Sequence, residues 1–292
     1  MGAYKHNKDY IIKKQSCQLF CNEYIDILAV SSYYRFKGVI KVNYKAYADD
    51  LIKFIDNSPC ALWAQYNCVQ MLKDNGFIKL DKKAESGGRY YIEQNGSAVA
   101  AFIKGNEDSP VRIGAAHLDS PAIMLKPKCE IVSEGSYVRL NSEIYGGAIL
   151  SSWLDRPLGV AGRVMLQGET VMPEIRLYKS NRPLCIVPNC APHLNREINS
   201  GYAYNKQKDM LPLFSLNPKE SIIDTVAEDL KVNRENILDY ELYCYETAPG
   251  TTVGNNRDMI SIGRLDDLMM SYALIRAVCE VKTNNTAIVI LT

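Results

Sequence analysis

The sequence predicts an α/β protein: a sheet flanked by helices and interrupted by a mostly β insert, an expectation that three features carry. The first is Val111 to Pro121, V-R-I-G-A-A-H-L-D-S-P. There an apolar run through Ala116 gives way to a histidine, an aspartate two residues on, and a proline that ends strand pairing. The second is Ala287 to Leu291, wholly apolar and mostly β-branched, the pattern of a strand buried on both faces of a parallel sheet. The third is the texture from Ala122 to about Leu238, where short alternating segments are separated by glycine and proline. The chain then divides into residues 1–121, the first part of an α/β domain, residues 122–238, the insert, and residues 239–292, the second part of the same domain.

Taken in order, Asp9 to about Leu28 spaces Ile12, Leu19, Phe20, Tyr24 and Ile27 as a helix does, and an irregular aromatic connection follows to about Lys45. Tyr47 to Ile55 reads as a helix closed by Asn57. Ser58 is placed to cap the next helix, with Pro59 at its first position and Gly76 after its last turn, which gives a helix over Ala61 to Leu72. Phe77 to Leu80 is a short strand. Arg89 to Gln94 and Ser97 to Ile103 flank Asn95-Gly96, the dipeptide that supplies the two left-handed residues of a tight hairpin. The buried strand from Val111 follows.

Within the insert, Ile123 to Lys126, Tyr137 to Leu140, Leu158 to Gln167 and Glu174 to Tyr178 read as strands, and Lys219 to Leu230 carries a helical stripe of Ile222, Val226 and Leu230. Tyr240 to Tyr245 and Met259 to Ile262 are further strands. From Leu265 the residues Leu268, Met269, Tyr272 and Ile275 recur at helical spacing, so Asp266 and Asp267 fall in the first turn, where the helix dipole and free amides favour acids without any metal.

Composition narrows the function. With 292 residues the chain has room for a large core and two domains. Its 34 basic and 33 acidic residues leave a formal charge of +1 with no single-sign block, which argues against nucleic acid or an anionic membrane as partner. No apolar run reaches the length of a membrane span and the first residues lack a signal-peptide core, so a soluble, cytoplasmic protein is expected. Nine cysteines without a C-x-x-C pair read as reduced, mostly buried thiols rather than a disulfide framework or zinc knuckle.

The chemistry centres on residue 117. At the carboxyl end of a strand in an open α/β sheet the chain opens onto the crevice where ligands bind, so His117 would point into a site. Asp119 shares its side of an extended chain. A carboxylate there can hold one imidazole nitrogen, fix the tautomer and leave the other nitrogen for a metal. A histidine merely satisfied by a nearby aspartate gives the same spacing.

Four motifs in order, H-L-D-S-P from His117, G-G-A-I-L-S-S-W-L-D-R-P-L-G-V-A-G-R-V from Gly146 to Val164, A-P-H-L-N-R-E-I-N from Ala191 to Asn199, and S-I-G-R-L-D-D from Ser261 to Asp267, make the sequence resemble the aspartyl aminopeptidase family of zinc exopeptidases. The likeness is weak before Tyr47 and clear from there to Thr292. It implies a zinc-exopeptidase-like sheet flanked by helices, a two-zinc site at the carboxyl ends of its strands, and an inserted β-rich dimerisation domain that builds homo-oligomers up to a dodecamer. By the same resemblance His117 is a metal ligand, Asp119 its orienter and Asp266 a carboxylate bridging both ions. His193, from the insert, reaches a neighbouring subunit's site to steady the tetrahedral oxyanion. The implied reaction is removal of an N-terminal, usually acidic, residue from a peptide substrate. Two positions depart from the family pattern, Asp267 where asparagine is usual and Asn195 where aspartate is usual, and neither is a ligand.

Family members continue past the strand matching Thr286 to Thr292 into a glutamate pair, one of them the general base, and further metal ligands. The resemblance therefore implies that the carboxyl-terminal part of the catalytic domain is missing and that the chain alone is inactive. An inactive short paralogue acting as an assembly or regulatory partner is the alternative from another class; a related metal-dependent deacylase or dipeptidase is a weaker one. Without closing helices, the sheet beside Ala287 to Leu291 would be left open, at a cost in solubility.

Overall fold

The computed structural model describes residues 43–81 and 83–292. The helix expected over Asp9 to Leu28 and the connection after it lie outside these residues. Residues 44–250 and 262–292 form one compact unit, and residues 251–261 belong to another. In chain order the elements are α1 (Tyr44–Asp56), α2 (Ala61–Asp74), β1 (Ile78–Lys79), β2 (Arg89–Gln94), β3 (Ala98–Ile103), β4 (Val111–Ala116), β5 (Ala122–Ser133), β6 (Tyr137–Tyr145), β7 (Leu158–Leu166), β8 (Glu174–Lys179), β9 (Leu213–Ser215), α3 (Ile222–Leu230), β10 (Ile237–Glu246), β11 (Thr251–Val253), β12 (Met259–Ser261), α4 (Leu265–Glu280) and β13 (Thr286–Leu291). The smaller unit's described residues are an antiparallel ribbon, with β11 paired to β12. The fold is mixed α/β, with helices packed on sheets.

The first sheet has the strand order β1-β2-β3-β13-β4. Asn95 and Gly96 take left-handed backbone angles, φ +53° and +74°, and fold β2 onto β3 as Asn-Gly predicts. The sheet is mixed rather than parallel: β13 runs antiparallel to β3 and parallel to β4. Among the described residues it is also covered on one face only. Val99, Ala101 and Ile103 of β3 with Val289 and Leu291 of β13 are buried on the side where α2 and α4 lie, whereas Ile113 and Ile290 are exposed on the other. The expectation of strands buried on both faces therefore fails. Among the described residues β4 pairs only with β13 and so forms an edge, where Val111 and Ile113 reach solvent.

The helices bury narrow stripes. In α2 these are Leu62, Gln65, Cys68, Val69 and Leu72, three or four residues apart. Ser58 does not cap this helix. The helix starts at Ala61, so Cys60 occupies the cap position, without a side-chain bond, and the buried Ser58 hydroxyl accepts from the Asn67 amide at 3.0 Å. At the far end Gly76 turns at φ +78°, and the Phe77 N–H returns to the Leu72 carbonyl, the usual way of satisfying a helix terminus.

The second sheet is antiparallel with order β8-β7-β10-β5-β6-β9. Its inner face carries Ile123, Leu140, Val160, Val164 and Leu242, closed by Ile222, Ile223 and Val226 of α3. Ser221 caps α3 by accepting the Ile223 and Asp224 amides. The boundary expected at residues 238 and 239 falls inside β10, which pairs with β7 as far as Glu246 and so lies in this sheet. The two sheets meet through α2 and the β2–β3 turn: the Trp63 indole donates to the Tyr178 carbonyl, and Arg163 donates to the Asn95 carbonyl. Among the described residues no helix is long and apolar enough to cross a membrane.

Candidate metal centre

The site forms where β4 leaves the sheet. Pairing with β13 persists one step beyond β4, since the Thr292 N–H donates to the Ala116 carbonyl and the Leu118 N–H donates to the Thr292 carbonyl. Leu118 is thereby driven inward, 1% exposed. Side chains alternate in extended backbone, so His117 and Asp119 turn outward, their side chains 47% and 38% exposed.

The second contributor is the start of α4. Arg264 takes a left-handed conformation at φ +61°, and Leu265 and Leu268 are buried on either side of the acidic pair. Asp266 and Asp267, joined by a cis peptide bond, have non-helical backbone angles. The pair thus sits at the helix start as expected but outside its regular turns, so alignment with the helix dipole does not by itself account for it.

These two elements bring residues 117 and 266 together. His117 Nε2 lies 3.4 Å from Asp266 Oδ1 and 3.8 Å from Asp267 Oδ2. His117 Nδ1 lies 3.0 Å from both the Asp119 carbonyl oxygen and Asp119 Oδ1. A carbonyl and a carboxylate only accept, so Nδ1 carries the proton and the neutral ring turns a bare Nε2 toward the two acids. Burial alone would lower the pKa of this imidazole; the bond to the Asp119 carbonyl and the charges of Asp267 and Asp119 outweigh it and hold the value above the ordinary one.

Three further residues brace the site, and sequence reasoning missed them. Asp267, set aside as a departure from pattern, accepts the His117 backbone N–H at 3.3 Å. Ser271, fully buried one turn further into α4, donates to the His117 carbonyl at 2.8 Å. The Tyr145 hydroxyl, at the end of β6, donates to Asp119 Oδ2 at 2.7 Å. The spacing from Asp267 to Ser271 is the one signal in the sequence that could have found a pair on one helix face. His193 is not brought in: it lies exposed in the loop before β9 and, among the described residues, has no ion pair or hydrogen bond with His117, Asp119 or Asp266.

The donor pair suits zinc in kind. Zinc takes imidazole nitrogen and carboxylate oxygen at about 2.0–2.2 Å, and two such donors on a tetrahedral ion stand roughly 3.3–3.5 Å apart. A charge-assisted hydrogen bond would draw the same atoms to about 2.7–2.9 Å. The observed 3.4 Å is longer than such a bond and lies within the span of two donors to one ion. In number the set falls short: among the described residues no three His, Cys, Asp or Glu side chains are grouped to hold a metal, and catalytic zinc takes about three protein ligands.

At the strand ends of this mixed α/β sheet an oriented imidazole thus faces a carboxylate. The aminopeptidase I zinc metalloprotease family, M18, matches residues 54–291, and the chain belongs to that family. The chain is 40% identical over 247 residues to a probable M18 family aminopeptidase 2 of Clostridium novyi, an alignment that covers 80% of this chain and 57% of that protein. Among solved structures, mApe1 of Chaetomium thermophilum superposes with a TM-score of 0.78 at 25% identity, over 85% of this chain and 62% of that one. The yeast mApe1 dodecamer has a TM-score of 0.71 at 24% identity, over 86% of this chain and 61% of that one. The chain thus spans under two thirds of the length of each.

Proposed function

We propose that this chain carries part of a two-zinc aminopeptidase centre that removes N-terminal residues, acidic ones by preference, from peptides. In this reading Asp119 orients His117, and His117 and Asp266 each donate to a metal, Asp266 bridging two. The single observation that carries it is the 3.4 Å approach of His117 Nε2 to Asp266 Oδ1 across 149 residues of chain, with Nδ1 already held by Asp119. Zinc bound there would polarise the scissile carbonyl and acidify a water. The chain's own part is to hold the single proton of the neutral ring on Nδ1 through Asp119, which leaves Nε2 for a metal, and to fix the His117 backbone through Asp267 and Ser271.

The described residues supply neither a third ligand nor a carboxylate placed as general base, so the 292-residue chain alone is expected to hold zinc weakly and to hydrolyse nothing. The insert of this reading runs from Ala122 through Glu246, the residues that build the second sheet and α3. It mediates a homo-oligomer, by likeness to the yeast dodecamer. Exposed His193 then serves the site of a neighbouring copy. The shortage of ligands also supports a second reading, an inactive partner subunit.

Zinc affinity by competition with a chromophoric chelator, run beside hydrolysis of aspartyl and leucyl p-nitroanilides, tests both readings. Weak zinc binding that His117→Ala and Asp266→Asn each reduce about tenfold or more is the expected result. Binding that neither substitution touches would remove the metal centre, and turnover by this chain alone would overturn its incompleteness.

A further inference from the structure

We propose that Tyr145 is a positioning residue of this centre, through which the second sheet sets the orientation of His117. The inference rests on the metal-centre reading for its consequence, though not for its geometry. Asp119 is 38% exposed, and a carboxylate held only by its neighbour's imidazole is free to turn about its own axis. The Tyr145 hydroxyl donates to Oδ2 at 2.7 Å while His117 Nδ1 lies 3.0 Å from Oδ1, so the two oxygens are taken from opposite sides and the rotation is stopped. A phenol donor on Oδ2 also leaves Oδ1 as an acceptor for Nδ1 beside the Asp119 carbonyl, so that in the neutral ring the lone pair on Nε2 faces Asp266.

Tyr145 is itself held. It pairs with Ala122 across β5 and β6, and its ring stands edge-on to Tyr243 of β10 with centroids 6.1 Å apart. The Tyr243 hydroxyl donates to Glu241 Oε1 at 2.7 Å, and Glu241 Oε2 pairs with Arg163 of β7 at 2.6 Å. Just after Tyr145, Gly146 turns at φ +71°, and a Cβ there would sit 3.5 Å from Pro121 Cα. The chain that carries Tyr145 therefore passes in contact with the His117 to Pro121 segment and aims the hydroxyl at Asp119. The bond to Asp119 raises the phenol's pKa, so the tyrosine stays a donor through neutral pH.

Two readouts test the assignment in the protein as it stands. With metal absent, and at a pH where the imidazole is neutral, nitrogen NMR of His117 reports which ring nitrogen carries the proton. Tyr145→Phe, which leaves the Asp119 carbonyl as the fixed acceptor, is expected to lower the Nδ1–H share of the neutral ring without moving the melting temperature, and to weaken zinc or cobalt binding about tenfold. Tyr66→Phe, at an exposed tyrosine of α2, should change neither. An unchanged tautomer together with unchanged metal affinity in Tyr145→Phe would overturn the inference. A shifted tautomer beside metal binding that ignores His117→Ala would keep Tyr145 and remove the metal centre instead.

Discussion

Glu93 of β2 shows how one side chain can tie elements together and where that tie would be felt. It accepts the Gln65 amide of α2 at 3.1 Å and pairs with Lys79 of β1 at 3.1 Å. Burial alone would raise its pKa; the bonds from Gln65 and Lys79 and the lysine charge overcome that and hold it below the usual carboxylate range. A folded-state pKa below the unfolded one means stability that is present above about pH 4.3 and is lost as pH falls through the depressed value. Lys79 is largely exposed, so the pair is worth at most about 1 kcal/mol. Glu93→Gln should lower the unfolding free energy from urea titration at pH 7 by no more than that, and the gap to the parent should close in strong acid. A gap that persists or widens there would show that the carboxylate is not the cause. The same scale marks the limit of what the sequence discloses about the site. His117 and Asp119 are legible because a two-residue spacing at a strand end dictates a shared side. Tyr145 and Ser271 are not, because nothing local says which way a tyrosine before Gly146-Gly147 turns, or which carbonyl a buried serine meets.

Elements were legible wherever a local rule is strong. Asn95-Gly96 set the hairpin of β2 and β3 to within a residue, and the Leu268 to Ile275 stripe located α4. Ser58 misled as a cap because the helix begins two residues later than a Ser-Pro start implies, with Cys60 at the cap, and the Ser58 hydroxyl meets Asn67 instead, nine residues away. The length of β10 was hidden for a similar reason: Ile237 to Asp239 look like a connection until β7 is seen alongside them. That pairing is tight enough to test. At Gly162 of β7 a Cβ would fall 1.9 Å from the Glu241 carbonyl oxygen, a backbone atom that cannot step aside without breaking the β7–β10 ladder. Gly162→Ala should therefore cost at least the 1–3 kcal/mol typical of overpacking and lower the melting temperature clearly. Gly135→Ser, at a turn where an added Cβ meets nothing within 4 Å, calibrates the cost of a left-handed backbone alone. If the two lose the same stability, the close approach at Gly162 is not what fixes the ladder.

At the scale of the molecule, the first sheet has a closed face and an open one. Strand register aligns Ile92 of β2 with Ala100 of β3, Ala100 with Ile290 of β13, and Ile290 with Ala115 of β4, and the next row holds Phe102, Ile288 and Ile113. Ile92 is 42% exposed, Ile290 37% and Ile113 64%, so these side chains form a continuous apolar strip beside a strand that, among the described residues, has no partner on its outer edge. Apolar patches of this kind on an open edge favour association. Charge does little to oppose it, since the chain carries a formal net charge of only +1. Sedimentation at rising concentration, up to about 100 µM, should show the 292-residue chain associating. Ile113→Lys places a charge on the most exposed position of the strip and should shift the distribution toward monomer. Its melting temperature should hold, because Ile113 contributes little buried area. A monodisperse monomer over the whole range would mean that the strip is shielded in solution, and association that ignores Ile113→Lys would move the contact to another surface, such as the exposed Val171 and Met172 between β7 and β8.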